Sequence, residues 1–346
     1  MTAPAIALDN VSRRFVRPLD LAERIANLCG ARRRPQVVRA VDEVSLAIAP
    51  GEVVGLVGES GCGKSTLARI AAGILEPSAG LVRIDGRDRA ALGRAKRREA
   101  DLAVQMVFQD AMASLNPRMR AGDIIGEAPA VHGLVAKPDL DRYVSDTMLT
   151  VGLDPAMRNR YPHQFSGGQR ARIGIARALA VRPSVLVCDE STAALDVSIQ
   201  AQVLNLFARL RRELDLTILF VSHDLGVVEH ISDRVAVMYL GRIVEEAHAD
   251  AIFARPNHPY TQALLAEVPR LDTGKRAFSA LKGELPSSLA PPQGCHFHPR
   301  CPHAFERCRI ERPAFRTVAT GQLSACHLND GPAPTRVRAC AVSPAA

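Results

Sequence analysis

Two stretches of this 346-residue chain could bind phosphate, one could ligate magnesium and activate water, and one could hold a metal. Gly58-Glu-Ser-Gly-Cys-Gly-Lys64-Ser65 has the spacing G-x-x-x-x-G-K-[ST]. Glycines in such a loop let backbone N–H groups curl around phosphate oxygens, and a following helix adds the positive field of its N-terminus. Ser60, Gly61, Cys62 and Gly63 lie within the loop and Thr66 follows it. Lys64 is placed to reach the outer phosphates and Ser65 to coordinate Mg²⁺. An apolar run, Val53–Val57, leads in and a helical pattern, Thr66–Leu75, leads out, which is the context the loop requires.

A second apolar run, from Val185, ends in Asp189-Glu190. Asp189 suits a Mg²⁺ ligand and Glu190 a general base that polarises an attacking water. Alone, two carboxylates at a strand end are commonplace; with the phosphate loop they form a set. Phe165-Ser166-Gly167-Gly168-Gln169-Arg170 then opens another helical run. It offers a hydroxyl and backbone N–H groups to an anion. An isolated Ser-Gly-Gly is an ordinary helix cap, but a second anion site in a chain that already has one calls for an explanation.

Short apolar strands alternate with helical segments, which predicts an α/β fold with a mainly parallel sheet. Val44–Ile48, Val53–Val57, Ala103–Phe108, Ser184–Cys188, Thr217–Ser222 and Arg234–Met238 are the expected strands, and Val82–Ile84 an antiparallel edge. The Pro-broken helical stretch at about 111–180 reads as an inserted subdomain. Residues 1–250 are expected to form one nucleotide-binding domain, 251–331 a small extension where strand signals fade, and 332–346 a disordered tail. Between Phe15 and Val41 lies a basic insert containing Arg32-Arg33-Arg34, read as a solvated loop or a short amphipathic helix through Leu21, Ile25 and Leu28.

Composition narrows the classes. Aromatics make up 4% and Trp is absent, fewer than base-stacking proteins usually carry. The net charge of +8 fits an Arg-rich solvated surface or proximity to anionic lipid or phosphate. No apolar run approaches the ~20 residues that cross a bilayer, and Met1–Asn10 lacks a secretion signal. The chain is therefore expected to stay in the cytoplasm and to meet membranes through partners. Cys295, Cys301, Cys308 and Cys326 are separated by five, six and seventeen residues. Four thiolates so spaced can surround Zn²⁺ or an iron–sulfur cluster, and His296, His298, His303 and His327 keep a mixed Cys/His zinc site open.

Taken together, Gly58–Ser65, Gln109, Ser166-Gly-Gly-Gln169, Asp189-Glu190, Ala194-Leu-Asp196 and His223 resemble the ATP-binding cassette (ABC) family in order and spacing, over roughly Val41 to Glu246. The resemblance implies two cassettes pairing head to tail around Mg-ATP. The loop of one would hold ATP while Ser166 and Gly168 of the other close on the γ-phosphate. It further implies that Gln109 joins the Mg²⁺ shell and reports to transport subunits, that Asp196 bridges the cassettes, and that His223 contacts the γ-phosphate and the attacking water. Phe15 becomes the aromatic on which adenine stacks. Ser191 and Phe165 depart from the family's usual Pro and Leu without touching an expected catalytic atom.

Gly55-Leu-Val-Gly-Glu-Ser, Ser114-Leu-Asn-Pro-Arg118, Arg160-Tyr-Pro-His163 and Asn257-His-Pro-Tyr-Thr261 are similar to the ATPases of bacterial oligopeptide and dipeptide importers, a group that includes nickel and glutathione importers. That likeness favours a [4Fe–4S] cluster on the four cysteines. It implies a second, different ATPase chain, two permeases and, indirectly, an extracytoplasmic solute-binding protein, at the cytoplasmic face of the bacterial inner membrane. The alternatives are a soluble cassette ATPase working on nucleic acid or ribosomes, and an exporter cassette. Single-cassette architecture weighs against the first; the lack of fused spans and the cysteine extension weigh against the second.

Overall fold

A computed structural model describes residues 3–30, 34–193, 195–267 and 283–331. Twelve strands run through these residues: β1 (Ile6–Arg17), β2 (Gln36–Ile48), β3 (Val53–Val57), β4 (Ala79–Ile84), β5 (Arg87–Asp88), β6 (Val104–Val107), β7 (Val185–Asp189), β8 (Thr217–Val221), β9 (Arg234–Tyr239), β10 (Arg242–His248), β11 (Arg316–Ala319) and β12 (Gln322–Ser324). They form a four-stranded sheet, β2-β1-β4-β5, and an eight-stranded sheet, β11-β12-β10-β9-β3-β8-β7-β6. Strands β9, β3, β8, β7 and β6 are mutually parallel.

The parallel strands β3, β7 and β8 are buried along their whole length, as their unbroken runs of Val, Leu and Ile require. Helices cover both faces. Lys64–Ala71 packs between the two sheets, where Leu67, Ala68 and Ile70 meet Ile6, Leu8, Val44 and Leu46. On the other face, Val197–Leu214 buries Val203, Phe207 and Leu210. Between β6 and β7 the chain is helical: Ala111–Ser114, Ala121–Val131, Leu140–Thr150 and Gly167–Leu179. No helix among the described residues is long and apolar enough to cross a membrane.

The α/β reading with an antiparallel edge agrees with this architecture, and three features go beyond it. The basic insert is neither all loop nor all helix. It continues the β1–β2 ladder to Arg17↔Gln36, and Leu21–Leu28 is a helix at its tip, with Leu28 87% exposed. Arg32 and Arg33 lie outside the described residues. Strand β10 follows β9 directly as an antiparallel partner. Finally, the region in which strand signals fade contributes two strands to the main sheet. Strand β12 pairs with β10 from Glu245↔Ser324 to Ala247↔Gln322, and β11 pairs with β12. Their residues are short and mixed in polarity, so no period-2 run announces them. The expected tail, 332–346, which contains Cys340, also lies outside the described residues.

Candidate functional site

The phosphate loop joins the end of β3 to the helix Lys64–Ala71. Its shape depends on glycine. Gly63 sits at φ 111°, and a Cβ there would fall 2.1 Å from the Ala40 carbonyl oxygen on β2. Gly58 is equally enclosed: a Cβ would fall 2.2 Å from the Met238 carbonyl oxygen. Lys64 is buried and curls back into the loop, where its Nζ donates to the carbonyls of Gly58 at 2.8 Å and Glu59 at 3.0 Å. Ser60 and Gly61 are exposed at the loop's crest, whereas Cys62 is buried and burial pushes its thiol pKa up. That thiol is packing, not chemistry. Thr66 is half-buried on the first turn of the helix.

Parallel pairing of β3, β8 and β7 brings three strand ends to this loop. Ser65 Oγ donates to Asp189 Oδ1 at 2.9 Å, which joins the loop to the end of β7. Burial raises the Asp189 pKa, and the bond from Ser65 opposes that shift. A bound divalent cation would favour the charged form further. Glu190 follows at φ 44°, with its backbone N–H donating to Val221 O at 2.9 Å. The left-handed turn re-aims its side chain after the strand ends. Gln109 Nε2 donates to Glu190 Oε2 at 2.8 Å, and His223 Nδ1 stands 3.4 Å from Glu190 Oε1. Loop serine, paired carboxylates, glutamine and histidine thus meet in one place.

Ser166 lies elsewhere. It caps the helix Gly167–Leu179 in a reciprocal box, accepting from Gln169 N at 3.3 Å while Gln169 Oε1 accepts from Ser166 N at 3.0 Å. Ser166 and Gly167 are exposed, and Gly168 is buried against Ile199. The hydrogen bonds of this cap stay within its own turn, which leaves Ser166 and Gly167 open to solvent. Asp196 behaves similarly: it precedes the helix Val197–Leu214 and is exposed, with no side-chain cap bond. Val197 beside it is 83% exposed. Ala194 lies outside the described residues. Phe15 is exposed on β1 opposite Val38, with the Arg13 guanidinium 4.9 Å from its ring centroid. Ala40, two residues beyond Val38, touches Gly63, so Phe15 stands on the strand pair that flanks the phosphate loop.

The four C-terminal cysteines fold near one another. Cys295 N donates to Cys308 O at 2.9 Å. Cys301 feels the charge of the other three, and burial, the larger cause, pushes its pKa up to about 12. Burial likewise pushes Cys326 up to about 11. Backbone N–H groups of Phe297 and His298 face the Cys295 sulfur, that of His303 faces Cys301, and that of Leu328 faces Cys326. Three of the four neighbouring histidines make ring contacts. His296 Nδ1 is 3.1 Å from Leu240 O, and His298 Nδ1 is 2.9 Å from Cys295 O. Both ring nitrogens of His327 are used, by Asp330 Oδ2 at 2.7 Å and Glu311 O at 2.9 Å. Among the described residues, no three His, Cys, Asp or Glu side chains gather as ligands of a single ion.

Sequence reasoning missed a contact between the loop and the extension. Arg300 Nη1 donates to both carboxylate oxygens of Glu59, at 2.8 and 3.0 Å, and Glu59 N donates to Tyr260 Oη at 2.9 Å. No local pattern signals it, because the partners lie 241 and 201 positions apart.

The chain matches the family model described as ABC transporter over residues 41–193, and that described as oligopeptide/dipeptide transporter, C-terminal region, over residues 244–308. It is 50% identical over 293 residues to the probable peptide ABC transporter ATP-binding protein y4tS of Sinorhizobium fredii, covering 84% of this chain and 83% of the relative. It is 48% identical over 295 residues to the oligopeptide transport ATP-binding protein AppF of Bacillus subtilis, covering 84% and 90%. Among solved structures it resembles the ATP-binding cassette MJ0796, a dimer bound to ADP and Pi, at TM-score 0.59 and 26% identity over 70% of this chain and 98% of that one. The likeness to cbiO1 of Clostridium perfringens, at TM-score 0.60 and 24% identity over 73% and 92%, is one of fold. Site geometry, fold and sequence agree: the chain belongs to the family of ABC transporter ATP-binding proteins that carry the oligopeptide/dipeptide-type C-terminal region, and it is an ATPase.

Proposed function

We propose that this ATPase energises the import of oligopeptides, dipeptides or related solutes, working at the cytoplasmic face of a bacterial inner membrane beneath two permeases. The names of its relatives supply the solute class. The single observation that carries the mechanism is the division of its two anion sites. The phosphate loop is joined to Asp189 through Ser65, whereas the Ser166 cap faces solvent with its own turn satisfied. A cap so presented completes the site of another chain. ATP then lies between two cassettes, and closing on it is the movement passed to the permeases. The second cassette is a different chain in this reading, and a solute-binding protein delivers cargo from outside.

Within the site each group has a task. Lys64 holds the outer phosphates, and exchanges two carbonyls for them when ATP enters. Ser65, Asp189 and Gln109 supply the hard oxygen donors that Mg²⁺ takes. Glu190 accepts the proton of the attacking water. His223 sits on the far side of that carboxylate and positions the water against the γ-phosphate. Gln109 touches the base directly and lies where β6 leads into the helical segment 111–180, so movement of that subdomain reaches Glu190 through one side chain. Phe15 takes the adenine ring on the face that Arg13 leaves open, while Gly167, Gly168, Gln169 and Asp196 belong to the surface that meets the second cassette. Residues 1–250 act as the nucleotide-binding domain and 251–331 as the extension. Substituting Glu190→Gln tests the assignment: turnover is lost while ATP binding persists, and retained hydrolysis removes Glu190 as the base.

The four cysteines carry a finer proposal, a [4Fe–4S] cluster. The four cysteines lie within electrostatic reach of one another, and backbone N–H groups aimed at sulfur are the second shell that thiolate ligands need. His327, with both ring nitrogens engaged, is removed from a mixed Cys/His zinc site. When bound, such a group would cross-link the segments that carry Cys295, Cys301, Cys308 and Cys326. Iron and acid-labile sulfide assayed on anaerobically purified protein check it. About four of each per chain is expected; stoichiometric zinc, or neither metal, overturns it.

A further inference from the structure

Glu59 places a carboxylate in the second position of the phosphate loop. Its backbone carbonyl accepts from Lys64 Nζ at 3.0 Å, so the carboxylate is within one side chain's length of the ammonium that binds phosphate. A free negative charge there opposes a triphosphate. The structure pairs it. Arg300, with a side chain only 5% exposed, donates from Nη1 to both Glu59 oxygens. Tyr260, fully buried, fixes the Glu59 backbone N–H from the same side. Both partners come from beyond residue 250. They are held by an aromatic cluster in which Tyr260 lies 4.6 Å from Tyr239 and 5.4 Å from Phe297, and the Arg300 guanidinium lies 5.9 Å from the Tyr239 ring.

We propose that Arg300 is a positioning residue for nucleotide binding: it draws the Glu59 carboxylate away from the phosphates and neutralises it, so that the C-terminal extension sets this chain's affinity for ATP. The inference uses the phosphate loop's role in holding ATP. A buried arginine next to a carboxylate is otherwise a costly arrangement, because two charges leave water. Here it has a use, since it makes an acidic loop compatible with an anionic substrate.

The test is the Kd of Mg-ATP for the full chain and three variants, with thermal melting as the check on folding. Arg300→Gln weakens binding by roughly an order of magnitude, the size expected for a unit charge uncovered ~10 Å from the phosphates at an effective dielectric of ~20. Glu59→Gln tightens it by a similar factor, because the arginine then faces the phosphates alone. The double variant returns close to the parent. A brace without electrostatic purpose predicts that both single variants weaken binding and that the double is no better than either. That pattern, or unchanged affinity in folded Arg300→Gln, overturns the proposal. If Arg300→Gln does not fold, the sign of the Glu59→Gln change decides alone. Lys64→Ala, which removes ATP binding outright, separates failure of this inference from failure of the loop assignment.

Discussion

One carboxylate, that of Glu190, is gripped from both sides: Gln109 Nε2 donates to its Oε2 at 2.8 Å while His223 Nδ1 stands 3.4 Å from its Oε1. The Glu190 carboxylate is therefore oriented by one residue from beyond the end of β6 and one from beyond the end of β8. His223→Ala leaves ATP binding intact and lowers kcat by about 10²-fold, the cost of misplacing a reacting water by about 1 Å. Steady-state ATPase kinetics on the assembled transporter check it. A raised KM with unchanged kcat would assign His223 to binding instead.

Gly63 connects the phosphate loop to the antiparallel sheet through space too narrow for a side chain. Its φ is 111°, and a Cβ would sit 2.1 Å from the Ala40 carbonyl oxygen, so any substitution must shift either the loop or β2. Gly63→Ala is expected to cost about 2–4 kcal/mol of stability through backbone strain and overlap. Chemical denaturation measures the loss. A variant as stable as the parent would mean that β2 yields freely there.

His258 is buried and its pKa is pushed down to about 4, mainly by burial. Its neutral ring accepts from Tyr260 N at 3.0 Å and caps the helix Pro259–Ala266. The folded pKa lies below the unfolded value of 6.5. The ring's contribution is thus complete above pH ~6.5 and is lost as pH falls towards 4, by about 3 kcal/mol in total. Urea midpoints across that window should fall for the parent. His258→Asn keeps a cap acceptor without a titrating ring, and its midpoints should fall less. Equal slopes would place the acid sensitivity elsewhere.

The strands that present chemistry were readable because they are buried on both faces: Val53–Val57, Val185–Asp189 and Thr217–Val221 are continuous apolar runs. The glycine loop and the Asp189-Glu190 pair follow those runs directly. Strand β1 was not readable, because Asp9, Asn10 and the Arg13-Arg14 pair interrupt its apolar residues where register shifts occur. Strands β10 to β12 escaped for a different reason. They are defined by pairing with one another, and Glu245 within them is buried by accepting from Asn257 N, His258 N and Gln322 Nε2. The link between Glu59 and Arg300 is tertiary in the same sense, and the residue types alone describe two ordinary surface charges.

A structure of the assembled transporter carrying Glu190→Gln and trapped with Mg-ATP bears most directly on all of this. The Ser166 hydroxyl should lie about 3 Å, hydrogen-bonding distance, from the γ-phosphate of a nucleotide held by the other cassette's loop. Ser166 remote from every nucleotide, in a state shown to be on the hydrolytic path, would contradict it.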